Sequence, residues 1–113
     1  MKKIEAIIRP EKFQDLRNSL TEVGIGGLTI TEAAGTGKQK GQTGLFRGNT
    51  FKLQLLPKLK VETIVDDSQV DEIVDIIIET CSTGEIGDGK IFIHPIEEVI
   101  RIRTKERGAQ AIL

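Results

Sequence analysis

Two copies of one pattern, a strand followed by a helix and then a second strand, most strongly constrain the fold of this 113-residue chain. Residues 3–8 alternate in polarity, which predicts a half-buried strand. Residues 10–23 then repeat apolar side chains at every third or fourth position, which predicts a helix that begins at Pro10 and ends before Gly24. Residues 28–34 alternate again and predict a second strand.

The second half of the chain repeats this order. A helix with an apolar stripe is predicted over residues 70–81, and Ser68 with Asp71 approximates a capping box at its start. Further strands are predicted at residues 59–65, 90–94 and 99–103. The order predicts a single α+β domain over residues 1–113 with a ferredoxin-like (βαββαβ) antiparallel sheet and both helices on one face. Because the other sheet face then lacks cover, we expect a homo-oligomer.

Composition excludes several classes of protein. A single cysteine, Cys81, and a single histidine, His94, cannot form a disulfide or supply a zinc site. No purely apolar run is longer than three residues, as at Ile76–Ile78, and the N-terminus lacks the apolar stretch of a signal peptide, so we expect a soluble intracellular protein. Cys81 lies on the apolar helix stripe and is expected to be structural, and His94 is expected to be a surface or capping residue. The sequence shows no Ser/His/Asp set and no distinctive carboxylate pair, so it does not indicate catalysis.

The charge is unevenly distributed, although the formal net charge is only −1. That net charge argues against a general nucleic-acid-binding protein. Between Glu32 and Glu62 there is no acid but there are six bases, whereas the remainder carries ten bases and seventeen acids. Most of this basic segment is a long glycine-rich stretch, about residues 36–54, which predicts a functional loop. The segment would attract an anionic ligand or partner, or it is simply a solvated basic loop.

A glycine-rich segment at residues 84–90 reads G-x-x-x-x-G-K, as in a phosphate-binding P-loop. Ile91 replaces the Ser or Thr that would bind magnesium, and a strand follows where a P-loop requires a helix, so a Walker A site is excluded. Converging backbone N–H groups and the Lys90 ammonium still suit an anion. The alternative is a turn that merely needs glycine.

Two arginines close to the C-terminus offer a second cationic element. Arg101 and Arg103 are two positions apart in a predicted strand, which places both on one face. They would bind a polyphosphate between them, or they form surface ion pairs with nearby glutamates. The segment 35–41 is another plausible anion site, but it fails the G-x-G-x-x-G pattern at Lys40.

The chain resembles the PII signal-transduction protein family over essentially its whole length. The matching segments are KKIEAIIRP (2–10), GTGKQKG (35–41), FRG (46–48), PKLK (57–60), TGEIGDGKIFI (83–93) and RIRT (101–104). The resemblance implies a trimeric cytoplasmic sensor that binds ATP or ADP between subunits, with 2-oxoglutarate joining MgATP. It also implies that the long loop, called the T-loop in this family, changes shape with the ligand and docks on targets.

The same resemblance implies a set of binding residues. Those expected at ATP or ADP are Thr29, Gly35, Gly37, Lys38, Glu62, Ile64, Gly87, Asp88, Gly89 and Lys90, with Arg101 and Arg103 from the neighbouring subunit. Those expected at 2-oxoglutarate are Gln39, Lys40, Gly41 and Lys58, and Gln39 would also bind Mg²⁺. Lys38 stands where the family commonly has arginine, so discrimination between ATP and ADP is expected to differ.

The loop tip departs from the family pattern. Phe51 replaces the tyrosine that is uridylylated in relatives, and Asn49 replaces a serine that others phosphorylate, so neither covalent switch is expected. Phe46, Arg47 and Phe51 are expected to contact partners. Arg47 matches an arginine that enters ammonium channels in relatives. The resemblance therefore implies that the partner is an ammonium transporter, or else a nitrogen-metabolism enzyme. A transporter would recruit the protein to the membrane.

Two other functions remain open from the residues alone. A trimeric structural module of the CutA-like copper-tolerance type shares the fold, although the glycine-rich segment and the basic loop argue against it. A slow ATPase is the other, and it would require turnover that depends on Lys90.

Overall fold

The structure, a computed structural model, describes residues 1–36 and 55–112; residues 37–54 and Leu113 lie outside the described residues. The strands are β1 (Lys2–Ile8), β2 (Thr29–Gly35), β3 (Leu56–Val65) and β4 (Lys90–Pro95). The helices are α1 (Phe13–Glu22), α2 (Val70–Cys81) and α3 (Ala109–Ile112), with 3₁₀ turns at Pro10–Lys12 and Asp67–Gln69. None of the helices in the described ranges is long and apolar enough to cross a membrane.

The strands form one antiparallel sheet in the order β2-β3-β1-β4. Ala6 of β1 lies between Val61 of β3 and Ile91 of β4, and β2 extends the sheet beyond β3 with Thr29 opposite Glu62. Together with two helices on one face, this arrangement is the ferredoxin-like fold. The predicted fold class is confirmed.

The core lies between one face of the sheet and the two long helices. Ile4 and Ile8 of β1 are buried there against Leu16 and Leu20 of α1 and Ile73 of α2. Apolar residues at every second strand position and every third or fourth helix position bring these two surfaces together. Burying each such side chain stabilises the fold by about 1.5–3 kcal/mol.

Cys81 ends α2 with its side chain in this core. Burial raises the pKa of the thiol to about 11, because the thiolate would lose its hydration. A thiol with such a pKa stays protonated at neutral pH and is a poor nucleophile. The predicted structural role of Cys81 is confirmed.

The opposite face of the sheet, which we call the open face, is not covered by α1 or α2. By strand register its described residues include Lys3, Glu5, Ile7, Lys58, Lys60, Glu62, Ile64, Lys90, Phe92 and His94. Several residues predicted at a nucleotide site, Glu62, Ile64 and Lys90 among them, therefore belong to this face. The candidate site is expected here rather than among the helices.

The predicted fifth strand at residues 99–103 is wrong. Residues 102–104 form a turn, and the Arg101 N–H donates to the Glu106 carbonyl oxygen at 2.9 Å. The alternation of charged and apolar residues predicted a common strand face for Arg101 and Arg103. The turn removes the basis for that placement, although both arginines remain close in the chain.

A capping box is present at the 3₁₀ turn that leads into α2, but it uses other residues than those predicted. The Asp66 carboxylate accepts from the Ser68 N–H at 3.1 Å, and the Gln69 side chain accepts from the Asp66 N–H at 3.0 Å. Asp71 lies in the first turn of α2 instead. An acid in that position is stabilised by the helix dipole without a capping hydrogen bond.

Candidate functional site

A single carboxylate organises the glycine turn, residues 82–89, which joins α2 to β4. Asp88 accepts hydrogen bonds from the Thr83 hydroxyl at 2.5 Å, the Thr83 N–H at 2.8 Å and the Gly84 N–H at 2.9 Å. The bonds from Thr83, followed by those from Arg9 and Gly84, lower the pKa of Asp88 because they favour its charged form. Since a carboxylate repels a phosphate, we interpret Asp88 as the residue that shapes the turn.

Arg9 binds the glycine turn, a role that the sequence alone did not predict. Its Nε donates to the Asp88 carboxylate at 3.1 Å, and its Nη2 donates to the Ile86 carbonyl oxygen at 3.0 Å. Because Arg9 directly follows β1, these bonds attach the glycine turn to the centre of the sheet. No local signal predicts a pair that lies 79 positions apart in the chain.

Gly89 allows the turn to pass directly against β1. Its φ is 104°, in the left-handed region, and a Cβ at this position would lie 1.7 Å from the Ile7 carbonyl oxygen. Glycine is therefore required both by the backbone conformation and by the space. This close approach places Lys90 at the start of β4, opposite Ile7 on the open face.

A cavity of about 290 Å³ opens between the glycine turn, the end of β2 and the start of β3. Its described walls are Ile7, Gly35, Thr36, Leu56, Lys58, Ile86, Gly87, Gly89, Lys90 and Phe92. Two of these residues, Lys58 and Lys90, are cationic, and none of these described walls is acidic. Cations beside glycine-rich backbone favour an anionic ligand.

Lys58 connects two walls of this cavity. It lies on β3, and its ammonium group donates a hydrogen bond to the carbonyl oxygen of Gly87. The bond joins β3 to the glycine turn. Since an ammonium group has three N–H donors, Lys58 could also donate to a carboxylate or phosphate in the cavity.

A second groove, of about 440 Å³, lies between α2 and β4 and shares Gly89 and Lys90 with the cavity. Its walls are mostly apolar, with Ile78 and Ile93 partly exposed, and the Asp88 carboxylate adds negative charge. This composition suits an anion less well. We therefore take the smaller cavity as the candidate site.

The structure brings only part of the predicted nucleotide set to the cavity. Thr29 and Glu62 face each other on β2 and β3, six positions along from the pair of Gly35 and Leu56. At the rise of a strand, that separation is about 20 Å. Ile64 lies further still in the same direction.

Arg101 and Arg103 lie in the segment that follows β4. β4 begins at Lys90 beside the cavity and ends at Pro95, about 16 Å along the strand, before the segment that carries Arg101 and Arg103. Arg101 Nη2 donates to the Ala111 carbonyl oxygen at 3.3 Å, and Arg103 is exposed. Neither arginine is among the described walls of the cavity within one protomer.

The remaining predicted site residues lie outside the described residues. They are Gly37, Lys38, Gln39, Lys40, Gly41, Phe46, Arg47 and Phe51. Their assignment to nucleotide, 2-oxoglutarate, Mg²⁺ or a partner protein stays a prediction.

The lowered pKa of Asp88 leads to a testable pH dependence. The charged carboxylate stabilises the turn above the ordinary Asp pKa of about 4, and the contribution is lost as the pH falls through the lowered pKa. Asp88→Asn is therefore expected to reduce protection of the Thr83 and Gly84 N–H groups at neutral pH and to remove their acid sensitivity. Hydrogen-exchange protection factors measure this, with the exposed Asp15→Asn as control; unchanged protection in Asp88→Asn would contradict it.

Known proteins are similar to this chain over the whole of this region. The family model described as "Nitrogen regulatory protein P-II" matches residues 1–106. Proteins named "Nitrogen regulatory protein P-II" from Pasteurella multocida and Nostoc punctiforme are each 55% identical over 112 residues, which is 99% of this chain and 100% of each relative. "Nitrogen regulatory protein P-II 1" of Escherichia coli is 54% identical over the same shares. These matches include the glycine turn and both strands that border the cavity.

Proposed function

This chain belongs to the nitrogen regulatory protein P-II family, and from that premise we propose that it senses ATP or ADP together with 2-oxoglutarate. Members of the family are regulatory signal transducers that bind nucleotides and small ligands. The observation that carries the proposal is the cavity, where Gly35, Lys58 and Lys90 meet with no acid among the described walls. Two cations beside glycine-rich backbone suit the phosphates and carboxylates of these ligands.

The nucleotide site lies between subunits of a homotrimer in this proposal. Within one protomer neither Arg101 nor Arg103 is among the described walls of the cavity, and a second copy would supply them. Arg101 and Arg103 of one subunit then join Gly87, Gly89 and Lys90 of the next at the phosphates. Thr29, Glu62 and Ile64 border the rest of the nucleotide. The uncovered open face supplies a further reason for self-association.

The second ligand, 2-oxoglutarate, binds beside MgATP. Lys58 pairs with its distal carboxylate, and Gln39, Lys40 and Gly41 contribute from the loop. Gln39 also binds Mg²⁺, which supplies positive charge between the triphosphate and the acid. The Lys58 ammonium has three N–H donors, so it can donate to the acid and to the Gly87 carbonyl oxygen together. Because Lys58 lies on the strand that follows the loop, this contact provides a physical link from ligand to T-loop.

Titration calorimetry tests whether binding of 2-oxoglutarate requires MgATP. We expect 2-oxoglutarate to bind in the presence of MgATP and not in its absence. Lys58→Met is expected to weaken 2-oxoglutarate binding by about tenfold or more, the effect of losing a charge-assisted hydrogen bond, while ATP binding is largely kept. Lys60→Met is the matched control, because Lys60 lies on the same face of β3 but does not wall the cavity. No binding of the acid even with MgATP would refute the proposal.

The output of the sensor is the T-loop, which regulates nitrogen-metabolism targets. Phe46, Arg47 and Phe51 contact the partner, and Arg47 favours an ammonium transporter that recruits this otherwise cytoplasmic protein to the membrane. The chain contains no tyrosine, so control by tyrosine uridylylation cannot operate in it. The switch is therefore non-covalent, through the ligands alone. ATP is a ligand here rather than a substrate, and sustained phosphate release that Lys90→Ala abolishes would instead favour an ATPase.

A further inference from the structure

Four charged or titratable side chains form a cluster on the open face, which we call the open-face cluster. It consists of Lys3 and Glu5 on β1, Glu62 on β3 and His94 on β4. Lys3 Nζ lies 3.4 Å from the Glu62 carboxylate and 3.8 Å from that of Glu5. His94 Nε2 lies 3.8 Å from the same Glu5 oxygen. The cluster thus crosses three adjacent strands.

His94 is the incompletely paired member of the cluster. Its Nε2 is buried and has no hydrogen-bond partner among the described residues. The facing carboxylate of Glu5 is only 16% exposed, so its charge is poorly screened by water. A protonated imidazole would place both a donor and a positive charge toward this carboxylate.

Protonation of His94 changes the charge of the cluster from −1 to zero. His94 is the only histidine of the chain, and histidine is the side chain that most readily gains a proton near neutral pH. The amino terminus pairs with Asp67 at 2.8 Å, outside the cluster. The other charged groups near this strand are Lys60 and Lys90 on the same face and Glu97 and Glu98 after β4.

We propose that protonation of His94 strengthens the association of copies of this chain through the open face, which makes the assembly pH-sensitive. The inference rests on the proposed trimer, in which a second copy is needed to complete the nucleotide site. Covering the face removes water from the cluster, and a net negative charge repeated around a symmetry axis then repels itself. Neutralising each cluster removes that repulsion. Association is therefore tighter at the lower pH.

Sedimentation equilibrium across a urea series, at pH 6 and pH 8, measures the dissociation constant directly. For the unaltered chain we expect a value about tenfold lower at pH 6, the sum of modest charge effects from each copy. His94→Gln, which cannot be protonated, is expected to show no difference. Glu5→Gln makes the cluster neutral at pH 8 and positive at pH 6, so this variant is expected to have the lower dissociation constant at pH 8. Glu98→Gln, outside the cluster, is the control and should behave like the unaltered chain.

Three other kinds of outcome would overturn the inference. Equal dissociation constants at both pH values, or a pH effect that survives His94→Gln, would overturn the inference while leaving the trimer intact. A pH effect on unfolding that is independent of protein concentration would assign His94 to the protomer rather than to assembly, and would also overturn it. A chain that is monomeric at every concentration and both pH values would overturn the proposed trimeric function and this inference together.

Discussion

Gly89→Ala is expected to lower the free energy of unfolding by about 4 kcal/mol, or to prevent folding altogether, because two costs add. The added Cβ would lie 1.7 Å from the Ile7 carbonyl oxygen, which is backbone of the central strand and cannot move aside cheaply. The φ of 104° is also a conformation that alanine adopts only with strain. Urea unfolding monitored by circular dichroism measures the loss.

Alanine substitutions at two other glycines separate the cost of the steric clash from the cost of backbone strain. Gly84 has a φ of 84° but no atom that would lie within 4 Å of an added Cβ, so Gly84→Ala is expected to cost about 1–2 kcal/mol from backbone strain alone. Gly26 has neither a positive φ nor a close neighbour, so Gly26→Ala is expected to change stability by about 0.5 kcal/mol at most. If Gly89→Ala proved no less stable than Gly84→Ala, the close approach of turn and strand would be wrong.

Lys90→Ala and Arg103→Ala are each expected to weaken ATP binding by about tenfold to a hundredfold with the fold intact. Each removes one charge-assisted hydrogen bond to phosphate, worth about 1.5–3 kcal/mol. Lys90 is exposed at the start of β4 and Arg103 is exposed in the C-terminal turn, so neither truncation opens a cavity in the core. Titration calorimetry with MgATP gives the affinities, and circular dichroism verifies the fold.

Two basic residues outside the proposed site serve as controls for these variants. Lys2 pairs with Asp67 at 3.4 Å, and Arg107 pairs with Glu98 at 3.5 Å in the same terminal segment as Arg103. Lys2→Ala and Arg107→Ala change the net charge equally but are expected to leave ATP affinity within about twofold, as is usual for a screened surface charge. Equal losses in all four variants would indicate a general charge effect rather than a site.

The regular elements could be predicted because their patterns are local. The alternation of Ile4, Ala6 and Ile8 and the helical spacing of Leu16 and Leu20 each match the burial found in the structure. Such periodicities record which side of an element faces the core. The helix end at Gly24 could be predicted for the same reason, since its φ of 88° is a conformation that glycine favours.

The C-terminal segment shows where local pattern fails. Ile100 and Ile102 alternate with arginines as in a strand, yet Ile102 is 96% exposed and lies in a turn. Lys105 has a φ of 63°, a left-handed conformation that a lysine rarely adopts and that alternation cannot signal. A strand requires a partner edge as well as a pattern, and no partner strand lies beside this segment in the described part of the chain beyond the isolated bridge of Ile100 with Arg107.

The composition of the candidate site could be predicted, but its internal connections could not. Glycines and Lys90 indicated an anion site because their chemistry is visible in a few consecutive residues. The bonds from Arg9 to Asp88 and from Lys58 to Gly87 join residues that are far apart in the chain. Only the packing of β1 and β3 against the glycine turn brings these groups together.

Mixing two variants tests most directly whether neighbouring subunits share the nucleotide site. Lys90→Ala and Arg103→Ala chains are unfolded together in equal amounts, refolded and titrated with MgATP at concentrations that neither parent binds. If Lys90 of one subunit works with Arg103 of the next, random assembly restores both residues at about one quarter of the sites, and these bind with the affinity of the unaltered protein. If both residues act within one protomer, every chain carries a defect, no site recovers, and the account of a shared site is contradicted.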